Sequence, residues 1–360
     1  QAGSAQGAAG AAVGGTPALK KNGAKIGAVA AAVVVVGVLV AGFATNWFGL
    51  AGVQPKEAVE VPAAAQGANA ADGQSADANE SAGDAQGGSQ AAASVTVKSA
   101  VEAYTWDELS QISAEIGAAG DEAAAVEVAK RYNLCTPEGK LDGTQVKSVT
   151  LADGTQTTVQ IVGFAHDDKT AGGKAGITFI FGDCVGEAPM NSTDTNAGGW
   201  EASQMRAYLN GDWRTQLPQD LDAVIVPVDK LSNNVGETDA VSAVTTTSDA
   251  LWLFSLSELA GAVPAGRTGE GYGLFEEGYV DVLDAAGSQY GLFCDMGVGM
   301  GNSENACLVK TRTDTYAFWW LRTSEPRDGY CFLRVDQHGY TPSGSDGASC
   351  ANYMVPGFCI

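Results

Sequence analysis

The chain has 360 residues, of which 42 are acidic and 20 basic, giving a formal net charge of −22. A negative excess of this size disfavours nucleic acid and anionic membrane surfaces as partners, since both would repel it. The acidity is unevenly spread: no Asp or Glu precedes Glu57, so the first 25 residues carry only positive side chains.

Residues 26–50 contain no charged side chain and follow directly on Lys20, Lys21 and Lys25. About 20 apolar residues at 1.5 Å rise cross a hydrocarbon core of about 30 Å, so residues 26–48 are predicted to be a transmembrane helix. The lysines keep the low-complexity tail 1–25 cytoplasmic, and Trp47 suits the far interface. A cleaved signal peptide is the alternative, with a shorter apolar part of roughly 7–15 residues. The expected localisation is therefore the plasma membrane, single-pass, with the C-terminal part extracellular. The chain opens on Gln1 rather than Met, and a segment before it is expected. Residues 49–94 are Ala, Gly, Gln and Ser with scattered acids and no aromatic residue beyond the interface. Such a stretch buries too little apolar surface to offset its ordering entropy and reads as a disordered spacer spanning on the order of 35 Å.

From Val95 the composition changes: six of seven Trp, all ten Tyr and all seven Cys follow. Thr105 with Glu108 three residues on is a capping box, and Leu109, Ile112 and Ile116 recur at helical spacing. Gly117 and Gly120 end that helix, and Asp121 opens another through Ala125, Val128 and Ala129. Residues 95–152 thus read as a helical hairpin leading into a β-hairpin. Its strands, 146–151 and 157–162, flank the turn residues Asp153 and Gly154. Over 153–360 strands are predicted at 176–181, 251–253, 318–322, 330–335 and 353–358. Helices are predicted at 200–210 and 255–259. The fold class is α+β with much irregular loop.

Four motifs in the last part carry a resemblance. They are Gly198-Gly199-Trp200-Glu201 running into Met205-Arg206-Ala207-Tyr208-Leu209-Asn210, Leu251-Trp252-Leu253 followed by Ser255-Leu256-Ser257-Glu258, Phe318-Trp319-Trp320-Leu321-Arg322, and Val355-Pro356-Gly357-Phe358-Cys359-Ile360. In this order they resemble the domain of unknown function 6273 family, bacterial surface domains common in anaerobic Gram-positive organisms, over about 167–360. That pattern is in turn distantly similar to the C-type-lectin-like fold of the formylglycine-generating enzyme group. The family has no agreed activity, so the resemblance implies a scaffold and no mechanism.

The catalytic sets of that wider group are missing. Its copper-using members need two neighbouring thiolate ligands, whereas Cys184, Cys294, Cys307, Cys331, Cys350 and Cys359 are dispersed. Its iron-dependent members need three histidines, and this chain has only His166 and His338. His166 beside Asp167 and Asp168 reads as a solvated loop histidine rather than the base of a Ser-His-acid triad. Glu325-Pro326-Arg327 imitates the calcium loop of sugar-binding lectins, but Arg327 puts a cation where a neutral ligand is required. No cofactor is expected, with a structural calcium in the loop 183–194 the one ion worth weighing. Seven cysteines in an extracellular domain predict disulfides, with buried free thiols as the alternative.

The expected ligand-binding residues are Trp319, Trp320, Arg322 and Tyr330. Adjacent strand residues face opposite ways, so one tryptophan is expected in the core and the other in a surface groove. Catalytic and metal-binding residues are expected to be none, and the membrane anchor is Lys20, Lys21, Lys25 and Trp47. The leading function is a membrane-anchored cell-surface protein that binds a glycan or protein ligand. The alternatives are an extracellular enzyme acting on polysaccharide or cell wall through a carboxylate pair, and a transmembrane sensor.

Overall fold

The computed structural model describes residues 95–262, 279–301, 305–312, 315–340 and 344–360. All of these lie in the unit Gln86–Ile360.

Helix Trp106–Gly117 begins as its sequence dictates. The Thr105 side chain accepts from the Glu108 N–H while the Glu108 carboxylate accepts from the Thr105 N–H. Trp106, Leu109, Ile112 and Ile116 form its buried stripe. Asp121 caps the second helix, Glu122–Arg131, by accepting from the Ala124 N–H.

Fourteen strands follow among the described residues. They are β1 (Val146–Thr150), β2 (Gln156–Phe164), β3 (Ile177–Phe181), β4 (Glu187–Ala188), β5 (Val228–Asn233), β6 (Val244–Asp249) and β7 (Trp252–Leu253), then β8 (Thr311–Arg312), β9 (Thr315–Tyr316), β10 (Trp319–Ser324), β11 (Cys331–Val335), β12 (Ser345–Gly347), β13 (Asn352–Tyr353) and β14 (Pro356–Cys359). They build one five-stranded sheet in the order β1-β2-β3-β14-β7, a second in the order β12-β11-β10-β13-β4, and the pairs β5-β6 and β8-β9. The first sheet is antiparallel throughout. Every residue of β3 and of β14 is buried.

Between these strands and helix Trp106–Gly117 lies an aromatic cluster. Trp106 sits edge-on to Phe179 at 5.6 Å, and Phe179 stacks on Phe358 at 5.2 Å. The Ser113 hydroxyl donates to the Ile360 carbonyl and accepts from the Ile177 N–H, tying the helix to both strands. Only glycine fits at 176, where a Cβ would lie 1.9 Å from the Ser113 carbonyl oxygen.

Two expected elements are each divided. The helix predicted over 200–210 breaks at Ser203, which is extended (φ −65°, ψ 141°) and caps the second piece, Gln204–Asn210, by accepting from the Arg206 N–H. The strand predicted over 353–358 becomes β13 and β14, which belong to different sheets. Pro356, which carries no N–H, opens the second piece.

The mixed α and β content is as expected, but the membrane architecture is corrected. Among the described residues no helix is long and apolar enough to cross a membrane. The longest, Trp106–Gly117, has 12 residues, or about 18 Å against a hydrocarbon thickness of about 30 Å, and one face of it is polar. The expected single transmembrane helix and single-pass plasma-membrane localisation therefore have no counterpart in the described fold. The apolar run 26–48, its flanking Lys20, Lys21, Lys25 and Trp47, the tail 1–25 and the spacer 49–94 lie outside the described residues.

Candidate functional site

Strand β10 carries three of the four residues expected to bind ligand, and all six of its side chains are buried. Trp319 and Trp320 do face opposite ways. The Trp319 indole N–H donates to the Leu308 carbonyl (3.0 Å) and that of Trp320 to the Ala188 carbonyl (2.9 Å). Both rings are fully buried, because β10 runs between β11 and β13 with further elements packed over each face. An open groove lined by one of them is thus corrected: both are core, each with its one polar atom satisfied.

The β10-β11 register shifts in mid-strand. Trp320 pairs with Arg334 and Ser324 with Phe332, so residues 321–323 oppose Leu333 alone. Bulges of this kind re-aim side chains. Here the Arg322 N–H turns to the Phe254 carbonyl (3.0 Å), and the guanidinium enters the interior at 1% exposure.

Arg322 ends a buried chain of four charges. It forms a two-pronged pair with Glu258, and the Glu258 carboxylate also caps its own helix by accepting from the Ser255 N–H (2.9 Å). On its other side Glu258 meets the Lys230 ammonium at 2.5 Å, and Lys230 meets Asp167 at 2.7 Å. Asp167 also accepts from the hydroxyls of Tyr290 (2.9 Å) and Thr178 (2.7 Å) and from the Cys359 thiol (3.3 Å). Burial alone would push both carboxyls up. The cations outweigh it, Lys230 at Asp167 and Arg322 with Lys230 at Glu258, holding each below the ordinary carboxylate range. Burial likewise pulls Lys230 down, and Asp167 and Glu258 more than reverse that. The four groups are ionised and mutually neutral.

A second buried carboxylate explains one of the motifs. Asp249 accepts from the Trp200 indole (3.0 Å), the Thr247 hydroxyl (2.6 Å) and the Arg206 guanidinium (2.6 Å). Gly199 has φ 54°, and a Cβ there would lie 1.8 Å from the Asn233 carbonyl oxygen. The motif Gly198-Gly199-Trp200 with Arg206 is a structural tie.

Beside Arg322 lies a cleft of about 10 Å³, room for one water-sized group. Its polar wall includes Ser232, Thr323 and Ser324, and its apolar wall Val282, Leu283, Ala286 and Pro326. The Ser324 hydroxyl is buried and has no hydrogen-bond partner among the described residues.

Past Ser324 the chain enters the loop 325–330. Asn196 anchors it: the side-chain amide nitrogen lies 2.9, 2.9 and 3.0 Å from the carbonyls of Glu325, Asp328 and Cys331. The Glu325 carboxylate accepts from the Tyr279 hydroxyl (2.8 Å), and Arg327 lies over the Tyr279 ring. Burial raises the Glu325 carboxyl above its ordinary range. Tyr330, by contrast, is 64% exposed. The candidate site is this loop with the cleft at its root. Of the four expected ligand-binding residues, only Tyr330 offers its ring to solvent.

The other candidates are accounted for locally. His166 is half-buried rather than solvated, its ring tilted by 31° against that of Tyr290 with centroids 4.0 Å apart, and burial draws its pKa down. His338 is exposed in a turn, its ring 3.1 Å from the Gln337 amide. Asp183 accepts from the Thr311 hydroxyl and Asp194 from the Ser349 hydroxyl, so two of the three carboxylates of the expected calcium loop, Glu187 being the third, serve as ties to other segments. Among the described residues no group of three or more His, Cys, Asp and Glu is placed to hold a metal. The expected disulfides are corrected, since all seven cysteines are unpaired. Burial pushes the Cys184 thiol up to about 12 and that of Cys135 to about 11. Sequence reasoning passed over Lys230, Glu258, Ser232 and Ser324. The one local signal was the helix start at Ser255, whose third-turn-position acid is Glu258.

A family model described as a domain of unknown function (DUF6273) matches residues 175–360. No curated protein and no solved structure matches the chain. The matched span holds Lys230, Glu258, Arg322, Ser324 and Tyr330, whereas Asp167 and the helical pair precede it.

Proposed function

The chain belongs to the DUF6273 family, and we propose that its described part is a binding module that takes a glycan or protein ligand on the loop 325–330. The observation that carries this reading is the contrast at Tyr330. Its ring is exposed, while the backbone beneath it is fixed by Asn196 through three carbonyls. A tyrosine held in this way presents contact area at low entropic cost, the property that makes tyrosine a frequent anchor in recognition surfaces. The flanking Asp328 and Glu237, whose carboxylate lies against Gly329, add acceptors for hydroxyl or amide donors.

The C-type-lectin-like scaffold is part of this reading. It is supported by the pairing of β3, near the start of the matched span, with β14 at its end. The enzymatic alternative through a carboxylate pair has less behind it. Asp167 and Glu258 are each neutralised by a cation and held below the ordinary carboxylate range, not poised as acid and base, and Asp249 is tied to Arg206.

The test is a glycan array and an affinity capture with the full chain, each repeated with Tyr330→Ala. A ligand whose binding falls at least about tenfold in the variant supports the reading. Ligand binding indifferent to Tyr330, or no binding in either format, rejects it.

A further inference from the structure

The loop 325–330 does not stand alone. Asn196, fully buried, ties it to the connection between β5 and β6, residues 234–243. On the first side the Asn196 N–H donates to the Gly329 carbonyl (2.8 Å), beside the three carbonyls its side chain already holds. On the second, a Cβ at Gly236 would lie 2.5 Å from the Asn196 carbonyl oxygen, and Gly236 has φ 109°, so only glycine fits there. Asn233 orders the connection from within. Its side-chain oxygen accepts from the N–H groups of Val235 and Gly236, and its amide donates to the carbonyls of Gly236 and Thr238. The two loops touch where the Glu237 carboxylate lies against Gly329.

What these loops expose is apolar. Tyr330 (64%), Val235 (57%) and Val241 (50%) are three of the four most exposed large apolar side chains among the described residues. Val241 opens the short turn Val241–Ala243, which the Ala243 carbonyl ties back to the Asn234 N–H (3.0 Å), next to Val235. A sugar can lie against an aromatic ring, but exposed valines give it little. The side chains of a protein are what bury aliphatic surface of this kind. The rim is acidic. Glu237 and Asp239 are exposed and Asp328 is half-buried, against the one base Arg327, 3.9 Å from Asp239. Three acids and one base leave this rim at −2. An acidic border around an apolar centre complements a cation, and it repels an acidic partner.

We propose that the two loops form a docking surface for a short protein segment that carries lysine or arginine beside aliphatic side chains. The proposal rests on the reading of the loop 325–330 as the ligand-facing surface and narrows its ligand from glycan or protein to protein. The carboxylates select the sign of the partner and steer its approach, and the apolar side chains hold it. Because both loops are pinned, little ordering remains to be done on binding. Three apolar side chains suit a short segment held weakly, not a large permanent interface.

The full chain is titrated by fluorescence anisotropy with four labelled probes: a lysine–leucine peptide, the matching glutamate–leucine peptide, an oligolysine of equal length and a neutral malto-oligosaccharide. The lysine–leucine peptide should bind at least about tenfold tighter than each of the other three. Tyr330→Ala and Val235→Ser should each weaken it about 3–10-fold. Met296→Ser, which removes an exposed apolar side chain on another segment, should leave it unchanged. Glu237→Gln combined with Asp239→Asn should weaken it about 3–10-fold at about 20 mM salt and have little effect at about 0.5 M. All these side chains are exposed, and equal melting temperatures control for folding. Oligolysine binding as tightly as the lysine–leucine peptide, with Tyr330→Ala and Val235→Ser like wild type, would mean general attraction to an acidic protein, and the proposal fails. Equal losses in Met296→Ser, or no binding of the lysine–leucine peptide below about 1 mM, also overturn it. Oligosaccharide binding that is lost in Tyr330→Ala, without peptide binding, refutes the protein segment and leaves the loop reading standing. Peptide binding lost in Val235→Ser and in the acid variant, but not in Tyr330→Ala, supports the docking surface and refutes Tyr330 as its anchor.

Discussion

Strand β10 and the loop that follows it are consecutive in the chain and opposite in exposure. From Trp319 to Ser324 every side chain is buried, and six residues further on Tyr330 stands in solvent. The strand contains two tryptophans and an arginine, residues that would rank first as recognition anchors by type. Yet each of their polar atoms is already satisfied inside the molecule. The loop has one exposed aromatic ring on a pinned backbone. The comparison teaches that availability, not residue type, decides which side chains can meet a partner. The aromatic and charged content of β10 goes into holding the base still, and the loop inherits that rigidity.

This contrast can be broken most severely at Glu258. Glu258→Ala leaves Arg322 and Lys230 buried without their shared counter-charge and should cost about 3–5 kcal/mol, read by denaturant unfolding. A loss under about 1 kcal/mol would show that the buried charges do not hold the base.

A stability-versus-pH profile tests the same cluster without mutation. Asp167 and Glu258 have folded pKa values below their ordinary ones, so their contribution is full above the ordinary carboxylate range and is lost as pH falls through the folded values. Lys230 is raised, so its contribution is full below its ordinary value of 10.5 and is lost as pH rises through the folded one. Stability should therefore decline on the acid side below pH about 4 and on the alkaline side only above about 10.5. A steep loss between pH 6 and 9 would contradict an ionised cluster.

Glu325, at the junction of strand and loop, carries the opposite sign. Its carboxyl is raised by burial, so it costs stability as pH rises through its ordinary value of 4.5 to the folded one. Glu325→Gln keeps an acceptor for the Tyr279 hydroxyl and removes the charge. It should stabilise the protein at neutral pH by about 0.5–1 kcal/mol, seen as a higher melting temperature than wild type. The smallest effect on folding belongs to Tyr330→Ala, within about 0.5 kcal/mol of wild type by the same melt, while ligand binding is lost. A large destabilisation there would place Tyr330 with β10 instead of apart from it.

Much of the local structure was legible in advance. Thr105 with Glu108 is a capping box in the sequence and in the fold, and the helix expected at 255–259 is present as Leu256–Ala260. Asp153-Gly154 marks the turn between β1 and β2, with Gly154 at φ 87°. The break at Ser203 was missed because its neighbours continue an apolar helical period. The roles of Lys230, Glu258 and Arg322 were missed because an ion pair between residues 64 positions apart leaves no trace in either local sequence. The burial of Trp320 was hidden in the same way, its indole partner Ala188 lying 132 positions away.

The sequence by itself determined where helices start and turns fall, and which domain family the chain joins, because caps, periodicity and motif order are short-range properties. Only the tertiary structure decided that Arg322 is saturated, that Ser324 is left unpaired and that Tyr330 is free. Each of those facts depends on how completely distant parts of the chain use up a side chain's hydrogen bonds and surface.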